Sequence, residues 1–163
     1  MKRMWSRNEV KGQVQSALSS GDMKNVKVFE DIVDKDGHPR FIEGDVVLKN
    51  PITGVEMLYG KWSLSGTHLM IVACLSVADT TTITYGSIIE LTLPEWVHNK
   101  IAPLYSQAVD TKNFNAFASN GTSQNVASYL LKVSNNKLEI ETGFTATADR
   151  VIRYAYDLLI DTE

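Results

Sequence analysis

The sequence is poor in the residues that serve covalent and metal chemistry. Its single cysteine, Cys74, cannot form a disulfide within the chain. The three histidines, His38, His68 and His98, lie 30 residues apart and have neither the His-x-x-x-His spacing nor the neighbouring cysteines of a zinc site. No phosphate-binding loop, dinucleotide-binding fingerprint or nucleophile-elbow motif occurs. We therefore expect no metal, no cofactor and no enzymatic activity.

The chain also lacks the apolar runs that mark membrane and secreted proteins. No stretch approaches the roughly 18 apolar residues that a transmembrane helix needs. The first residues are followed by charged and polar side chains, and not by the apolar centre of a signal peptide. We expect no membrane insertion, and synthesis in a cytoplasm.

An excess of positive charge is missing as well. The formal net charge is −3 and the isoelectric point is about 5.6, so the composition argues against nucleic acid as a partner. The charge is uneven, because residues 1–40 carry eight Lys and Arg against six Asp and Glu, and the rest carry eight against thirteen. The N-terminal segment therefore differs from the body of the chain.

Residues that favour β-sheet are abundant. Val, Ile, Thr, Tyr, Phe and Trp make up 53 of the 163 residues. Short segments of alternating apolar and polar residues are separated by turn sequences, without the regular alternation of strands and helices that a parallel sheet requires. This pattern predicts a mainly β domain over residues 25–163, an antiparallel β-sandwich of jelly-roll-like type.

The expected strands can be placed from the alternation and the turns between them. They cover residues 24–33, 45–49, 55–59, 61–64, 69–77, 80–85, 87–93, 113–118, 125–133, 137–144 and 150–160. Pro94 should begin a helical turn that continues through Ile101, since proline suits the first position of a helix. Residues 102–112 read as a loop or a short strand.

The segment 69–77 is apolar on both of its faces. Such a strand is buried from both sides, either by a second sheet or by a neighbouring subunit. The residues of one face, Met70, Val72 and Cys74, are therefore candidates for contacts between subunits. We expect Cys74 to act as a small buried hydrophobic residue and not as a nucleophile.

A short amphipathic helix is predicted near the N-terminus. Residues 6–9, SRNE, fit a capping box, and Val10, Val14 and Leu18 follow at helical spacing, which indicates a helix at about 7–19. A helix of this length is not stable alone, so its apolar stripe needs a partner. The partner could be the body of the chain, sister copies of the helix or another protein.

The sequence leaves open whether several aromatic and acidic side chains lie at the surface or in the core. Trp62 and Trp96 are candidate ligand or interface aromatics, because exposed aromatic rings stack on sugars and anchor interfaces; the alternative is that both cover the core. Tyr154 and Tyr156 are expected in the core or at a subunit interface. Glu139 and Glu141 are expected to be solvated on a strand face.

Three stretches carry a resemblance to a known group of proteins. They are residues 62–66 (WSLSG), 93–97 (LPEWV) and 153–161 (RYAYDLLID). In this order they resemble fibre and receptor-binding-type structural proteins of tailed bacteriophages, especially small head fibres, over roughly residues 55–161. The resemblance implies a homotrimer of β-sandwich heads that is anchored to the virion by residues 1–24. The chain has no long fibrous shaft, which favours a short capsid decoration.

Two functional hypotheses follow. The first is a non-enzymatic virion structural protein, made in the bacterial host cytoplasm and attached to a capsid or other virion protein through residues 1–24. It would serve adhesion to the host surface, for example to glycans, or reinforcement of the capsid. The alternative is a carbohydrate-binding receptor-binding module of a phage tail tip or baseplate. A glycan-degrading enzyme would need a carboxylate pair at a defined separation, which the sequence does not reveal.

Overall fold

The computed structural model describes residues 37–103, 110–132 and 135–160. The chain divides into two compact units, residues 1–42 and 43–163, and the first is described only from residue 37 onward. The predicted helix at 7–19, the predicted domain boundary after residue 24 and the predicted strand at 24–33 lie outside the described residues.

Eight strands and one helix make up the described part of the chain. The strands are β1 (Phe41–Leu48), β2 (Val55–Ser65), β3 (His68–Val77), β4 (Thr82–Thr92), β5 (Asp110–Phe117), β6 (Ser123–Lys132), β7 (Lys137–Thr145) and β8 (Arg150–Leu159). The helix α1 (Glu95–Ile101) connects β4 to the segment before β5. The predicted helical turn after Pro94 is thereby confirmed.

The strands form a closed antiparallel barrel in the order β1-β2-β3-β8-β5-β6-β7-β4. Two joints in this circle are narrow: β5 pairs with β8 only at Ala116–Ile152 and Phe117–Val151, and β1 pairs with β4 at three positions. By contrast, β3 pairs with β8 along all ten of its residues. The barrel therefore has the character of two four-stranded sheets, β1-β2-β3-β8 and β4-β7-β6-β5. The predicted mainly β, antiparallel fold is confirmed, while the jelly-roll-like arrangement is not.

The core fills the space between the two sheets, because every second residue of each strand points inward. On β3 and β8 the alternation is regular. The fully buried residues of these strands are Leu69, Ile71, Ala73, Leu75 and Val77 on β3, and Ile152, Tyr154, Tyr156 and Leu158 on β8. The helix α1 adds Val97 and Ile101 to the same core.

Two pairs of predicted strands are each a single long strand. The sequence predicts strand ends at Gly60 and Gly86, whereas β2 and β4 run through these glycines. The registers of β2–β3 and β4–β7 shift close to these positions, so the extra residue is absorbed in a β-bulge. Gly60 has a further reason to lack a side chain, since a Cβ there would meet the backbone oxygen of Val46.

The prediction that Glu139 is solvated is wrong. Its side chain is buried, and Lys49 Nζ lies 2.8 Å from its carboxylate. The ion pair with Lys49 offsets the cost of burying this carboxylate. Glu139 of β7 lies opposite Glu90 of β4, and Lys137 neutralises Glu90 at 3.1 Å. Two cations thus hold two adjacent carboxylates. Glu141, two residues further along β7, is half-buried.

Candidate functional site

The outward side of β3 carries a row of apolar side chains. Met70 is 48% exposed and Val72 is 38% exposed, and Cys74 on the same side is half-buried. The second sheet covers only the opposite side of β3, where the core residues lie. The structure therefore places the three predicted subunit-contact residues together on one surface, and leaves them without cover from the second sheet.

Neighbouring strands extend this apolar surface, which we call the β3 face and define as Tyr59, Met70, Val72, Cys74, Ala155 and Leu159. The register places Tyr59 of β2 opposite Cys74, and Ala155 of β8 opposite Val72. Leu159 lies opposite His68 at the end of the same strands. Tyr59 and Leu159 are among the large apolar side chains that are most exposed. Charged side chains lie among these residues, since Lys61 is opposite Val72 and Asp157 is opposite Met70. A cluster of exposed apolar side chains is nevertheless typical of a contact site.

Two polar pairs lie on the same side of the sheet as the β3 face. Lys61 donates a hydrogen bond to Asp45 at 2.6 Å, and this contact raises the pKa of the Lys61 ammonium. His68 Nδ1 lies 3.0 Å from the Asp157 carboxylate. The β3 face therefore combines apolar side chains with charged groups, as protein interfaces commonly do.

A groove lies at one end of this sheet, where β5 meets β8 for only two residue pairs. It has a volume of about 840 Å³, within the range of ligand-binding clefts. Its walls come from the start of β2, the end of β3, the end of β5 and the start of β8. The residues that matter for its chemistry are Glu56, Ser76, Phe117, Ser119, Asp149 and Arg153.

The connections around the groove are tied to one another. Arg150, which is buried, donates to the backbone oxygen of Thr122 and to Thr147 Oγ1, both at 2.8 Å. Asp149 accepts a hydrogen bond from the backbone N–H of Asp79 at 2.8 Å. Three connections, β3–β4, β5–β6 and β7–β8, are thereby joined, so the walls of the groove are preorganised.

Trp62 and Trp96, the predicted ligand or interface aromatics, lie in different settings. Trp62 is only 4% exposed, and its indole packs against Gly44, where a Cβ would lie 2.5 Å from the ring. Trp62 therefore covers the core, which is the second of its two predicted locations. Its ring has no exposed face on which a ligand could stack. Trp96 is half-buried on α1, and Lys100 Nζ lies 5.8 Å from the centre of its ring.

Tyr154 and Tyr156 point into the barrel. Both pack against Phe114, with ring centres 5.0 and 5.5 Å apart, and the Tyr156 hydroxyl donates to the backbone oxygen of Ser128 at 3.3 Å. Burial raises the pKa of the Tyr154 hydroxyl, and the nearby hydroxyls of Ser128 and Thr142 oppose this shift in part. No hydrogen bond of normal geometry reaches the Tyr154 hydroxyl from the residues that the structure describes. The core is one of the two locations predicted for Tyr154 and Tyr156, and a subunit interface is the other.

The remaining predicted site residues, Val10, Val14 and Leu18, lie outside the described residues. Within residues 37–103, 110–132 and 135–160, no group of three or more His, Cys, Asp or Glu side chains is arranged to hold a metal ion. In the same part of the chain, no helix has the length and apolar character needed to cross a bilayer.

Sequence reasoning did not find the groove. Phe117, Glu56 and Arg153 come from three different strands, and only the pairing of β2 with β3, β3 with β8 and β8 with β5 brings them to one place. The only signal in the sequence is that each occupies an outward position of its strand, which many other residues share.

The chain has no match among protein-family profiles, and no curated protein matches it in sequence. Several solved structures are similar in fold. The Ad16 fibre knob is 9% identical with a TM-score of 0.43, over 73% of this chain and 93% of that chain. The reovirus attachment protein sigma1, solved in complex with alpha-2,3-sialyllactose, is 11% identical with a TM-score of 0.36, over 77% of this chain and 72% of that chain. The fibre head of bovine atadenovirus type 4 is 8% identical with a TM-score of 0.36, over 73% of this chain and 98% of that chain. These structural neighbours are viral fibre-head and attachment proteins.

Proposed function

We propose that the protein is a non-enzymatic virion structural protein, a homotrimeric head fibre or capsid decoration of a tailed bacteriophage that displays its β domain for adhesion to the host surface. The observation that carries the proposal is the β3 face, where Met70 and Val72 remain exposed between two strands. The resemblance of residues 62–66, 93–97 and 153–161 to phage fibre proteins supports the virion role.

The β3 face favours association of identical chains. Burying apolar surface releases about 25 cal/mol per Å², so a row of exposed apolar side chains gains stability from a partner. Soluble oligomers usually have closed symmetry, and a trimer repeats the same pair of contacting surfaces at each of its three interfaces. In the proposed trimer, Met70, Val72 and Cys74 lie at the contact between neighbouring heads.

Residues 1–24 attach the trimer to a capsid protein in this proposal. The predicted helix at 7–19 presents Val10, Val14 and Leu18, which pack either against sister helices at the three-fold axis or against the capsid. Many copies on one particle then make weak individual contacts effective, because multivalency raises the effective concentration of binding sites.

The trimer is tested by size-exclusion chromatography with light scattering on the full chain. We expect a mass three times the 18.1 kDa of one chain. Val72→Lys should shift the mass towards one chain, because it places a charge in the apolar contact. Val47→Lys is the matched control, since it makes the same change at another exposed valine, 46% exposed on β1 and outside the β3 face. A single-chain mass for the unaltered protein at micromolar concentration would overturn the trimer.

The groove favours a second candidate function, a carbohydrate-binding receptor-binding module of a phage tail tip or baseplate. Immunogold labelling of the phage particle separates the two candidates. Label distributed over the capsid supports the head fibre or decoration, whereas label confined to the tail end supports the receptor-binding module.

A further inference from the structure

We propose that the groove between β2, β3, β5 and β8 is a binding site for a neutral oligosaccharide. This inference rests on the proposed adhesive function and names the ligand class and the residues that would make the contact. Its three elements are an exposed aromatic ring, a free hydrogen-bond acceptor and a free hydrogen-bond donor. Among the residues that the structure describes, they are Phe117, Glu56 and Arg153.

Phe117 supplies the apolar platform. The residue is the last of β5, pairs with Val151 of β8, and leaves its side chain 49% exposed in the groove. Small-molecule sites are lined mainly by apolar and aromatic side chains together with a few polar groups, and Phe117 beside Glu56 and Arg153 fits this composition. The C–H groups on one side of a pyranose ring form an apolar surface of suitable size for such a ring, which is why aromatic side chains stack on sugars.

Glu56 and Arg153 supply the polar contacts. Both are exposed, both line the groove, and neither has a hydrogen bond or an ion pair among the residues described by the structure. An ionised carboxylate accepts hydrogen bonds only, and a guanidinium donates only. A sugar hydroxyl both donates and accepts, so a polyhydroxylated ligand satisfies the two side chains together. Ser76 and Ser119 line the same groove and add hydroxyl groups.

The charges in the groove argue for a neutral ligand. Its ionised residues, within the described part of the chain, are two carboxylates, Glu56 and Asp149, and two guanidinium groups, Arg150 and Arg153. Asp149 and Arg150 are already engaged with Asp79 and with the threonines of neighbouring connections. The two free groups carry opposite charges, so neither an anion nor a cation is favoured overall.

The rigidity of the walls favours binding of a small ligand. Binding loses less free energy to ordering when the site is already held in its bound shape. Arg150 and Asp149 provide this by joining three connections at the end of the barrel where the groove lies. Arg153 also lies opposite Cys74 in the β3–β8 register, so the groove borders the β3 face, and trimer formation would hold three grooves at fixed separations.

Binding is tested on the full chain with three neutral probes, lactose, maltotriose and chitotriose, and with one anionic probe, 3′-sialyllactose. Saturation-transfer NMR detects contact, and isothermal titration calorimetry gives the dissociation constant. We expect saturable binding of at least one neutral probe, weakened about tenfold or more by Phe117→Ala and by Arg153→Ala, which corresponds to the loss of one good contact. Phe117→Trp should preserve binding, because it keeps an aromatic platform.

Tyr85→Ala is the matched control, since it removes an equally exposed aromatic ring from the other sheet. Circular dichroism and thermal unfolding must show that each variant is folded. If Phe117→Ala is not folded, Phe117→Trp still reports on the site. Absence of binding to all three neutral probes, binding of 3′-sialyllactose alone, or binding that survives both Phe117→Ala and Arg153→Ala overturns the inference.

The mass of the same samples separates this inference from the proposed function. A trimer that binds no neutral probe would overturn the oligosaccharide site and leave the trimeric fibre standing. A monomer that binds a neutral probe through Phe117 would support the site and overturn the trimer.

Discussion

Arg150 of β8 donates a hydrogen bond from Nη1 to the backbone oxygen of Thr122 at a distance of 2.8 Å. Its other terminal nitrogen donates to Thr147 Oγ1, also at 2.8 Å. A buried guanidinium therefore joins the β5–β6 turn to the β7–β8 connection, next to the proposed oligosaccharide site. Both the stability of the fold and the binding of a ligand should therefore depend on the Arg150 side chain.

Replacement of Arg150 by methionine should destabilise the fold. The substitution keeps much of the side-chain length but leaves the Thr122 oxygen and the Thr147 hydroxyl without their donor, at an expected cost of about 1–3 kcal/mol in the free energy of unfolding. Urea denaturation followed by circular dichroism measures this change. Arg153→Met is the control, because Arg153 is exposed and should change stability by less than about 0.5 kcal/mol. Equal losses in the two variants would contradict the role assigned to Arg150.

Two glycines in the same fold should respond differently to alanine. At Gly44 a Cβ would lie 2.5 Å from the Trp62 indole, so Gly44→Ala must displace a buried ring, at a cost of about 1–3 kcal/mol. At Gly86, which lies at the bulge of β4, a Cβ would have no neighbour within 4 Å, so Gly86→Ala should have little effect. Thermal unfolding compares the two variants. The local readout is the tryptophan emission maximum in a Trp5→Phe/Trp96→Phe background, in which Trp62 is the remaining tryptophan. A stable Gly44→Ala protein with unchanged fluorescence would show that the packing is looser than described.

The glycines also explain where reasoning from the sequence succeeds and where it fails. Period-two alternation, together with the apolar run at residues 69–77, predicts every described strand approximately, because at least one side of each strand faces a core. The predicted strand ends at Gly60 and Gly86 are wrong, since a glycine inside a strand can mark either an end or a bulge. The choice depends on what lies across the sheet, such as the Val46 oxygen next to Gly60, and that is not a local property.

Which residues form the candidate sites also depends on contacts between residues that are distant in the sequence. The two-sided apolar character of residues 69–77 places Met70 and Val72 together, because both lie on one side of one strand. Trp62 belongs to the inner side of β2, and its pairing with Ile71 directs it into the core. Phe117 and Arg153 are 36 positions apart in the chain, so only the β5–β8 joint could reveal that they share a groove.

The two lysine–carboxylate pairs near β1 should differ in their contribution to stability. Lys49 lies 2.8 Å from Glu139, whose side chain is almost fully buried, whereas Lys61 and Asp45 form an exposed pair. Lys49→Met would leave a buried carboxylate without its cation, and we expect a loss of about 1–3 kcal/mol in the free energy of unfolding. Lys61→Met should give no measurable change, because water and salt screen the exposed pair.

The double variant Lys49→Met/Glu139→Gln tests the reason for that loss. Replacing the carboxylate with a neutral amide removes the uncompensated charge, so part of the lost stability should return. Denaturant unfolding of the single and double variants provides the comparison. If the double variant is no more stable than Lys49→Met, the loss arises from packing of the lysine side chain and not from the charge of Glu139.

The buried tyrosines predict a distinct dependence of stability on pH. Burial raises the pKa of Tyr154 above its usual value near 10, so the unfolded chain releases this proton at a lower pH than the folded chain. The stability associated with the neutral Tyr154 hydroxyl is therefore fully present below pH 10 and is lost as the pH rises from about 10 through the folded-state pKa. Tyr154→Phe should remove this component, so the stability of the variant should fall less steeply than that of the unaltered protein above pH 10.

Near pH 7, Tyr154→Phe should be neutral or slightly stabilising, because the Tyr154 hydroxyl is buried without a hydrogen bond from the residues that the structure describes. Tyr156→Phe is the matched comparison on the same strand. It removes a hydroxyl that donates to the Ser128 backbone oxygen, and should cost about 0.5–1.5 kcal/mol. Urea unfolding of both variants and of the unaltered protein at pH 7 and at about pH 10.5, just above the ordinary tyrosine pKa, gives the six values required. A Tyr154→Phe protein that is clearly destabilised at pH 7 would mean that its hydroxyl has a partner in solution, most simply a buried water shared with Ser128 and Thr142, and the difference between the two tyrosines would disappear.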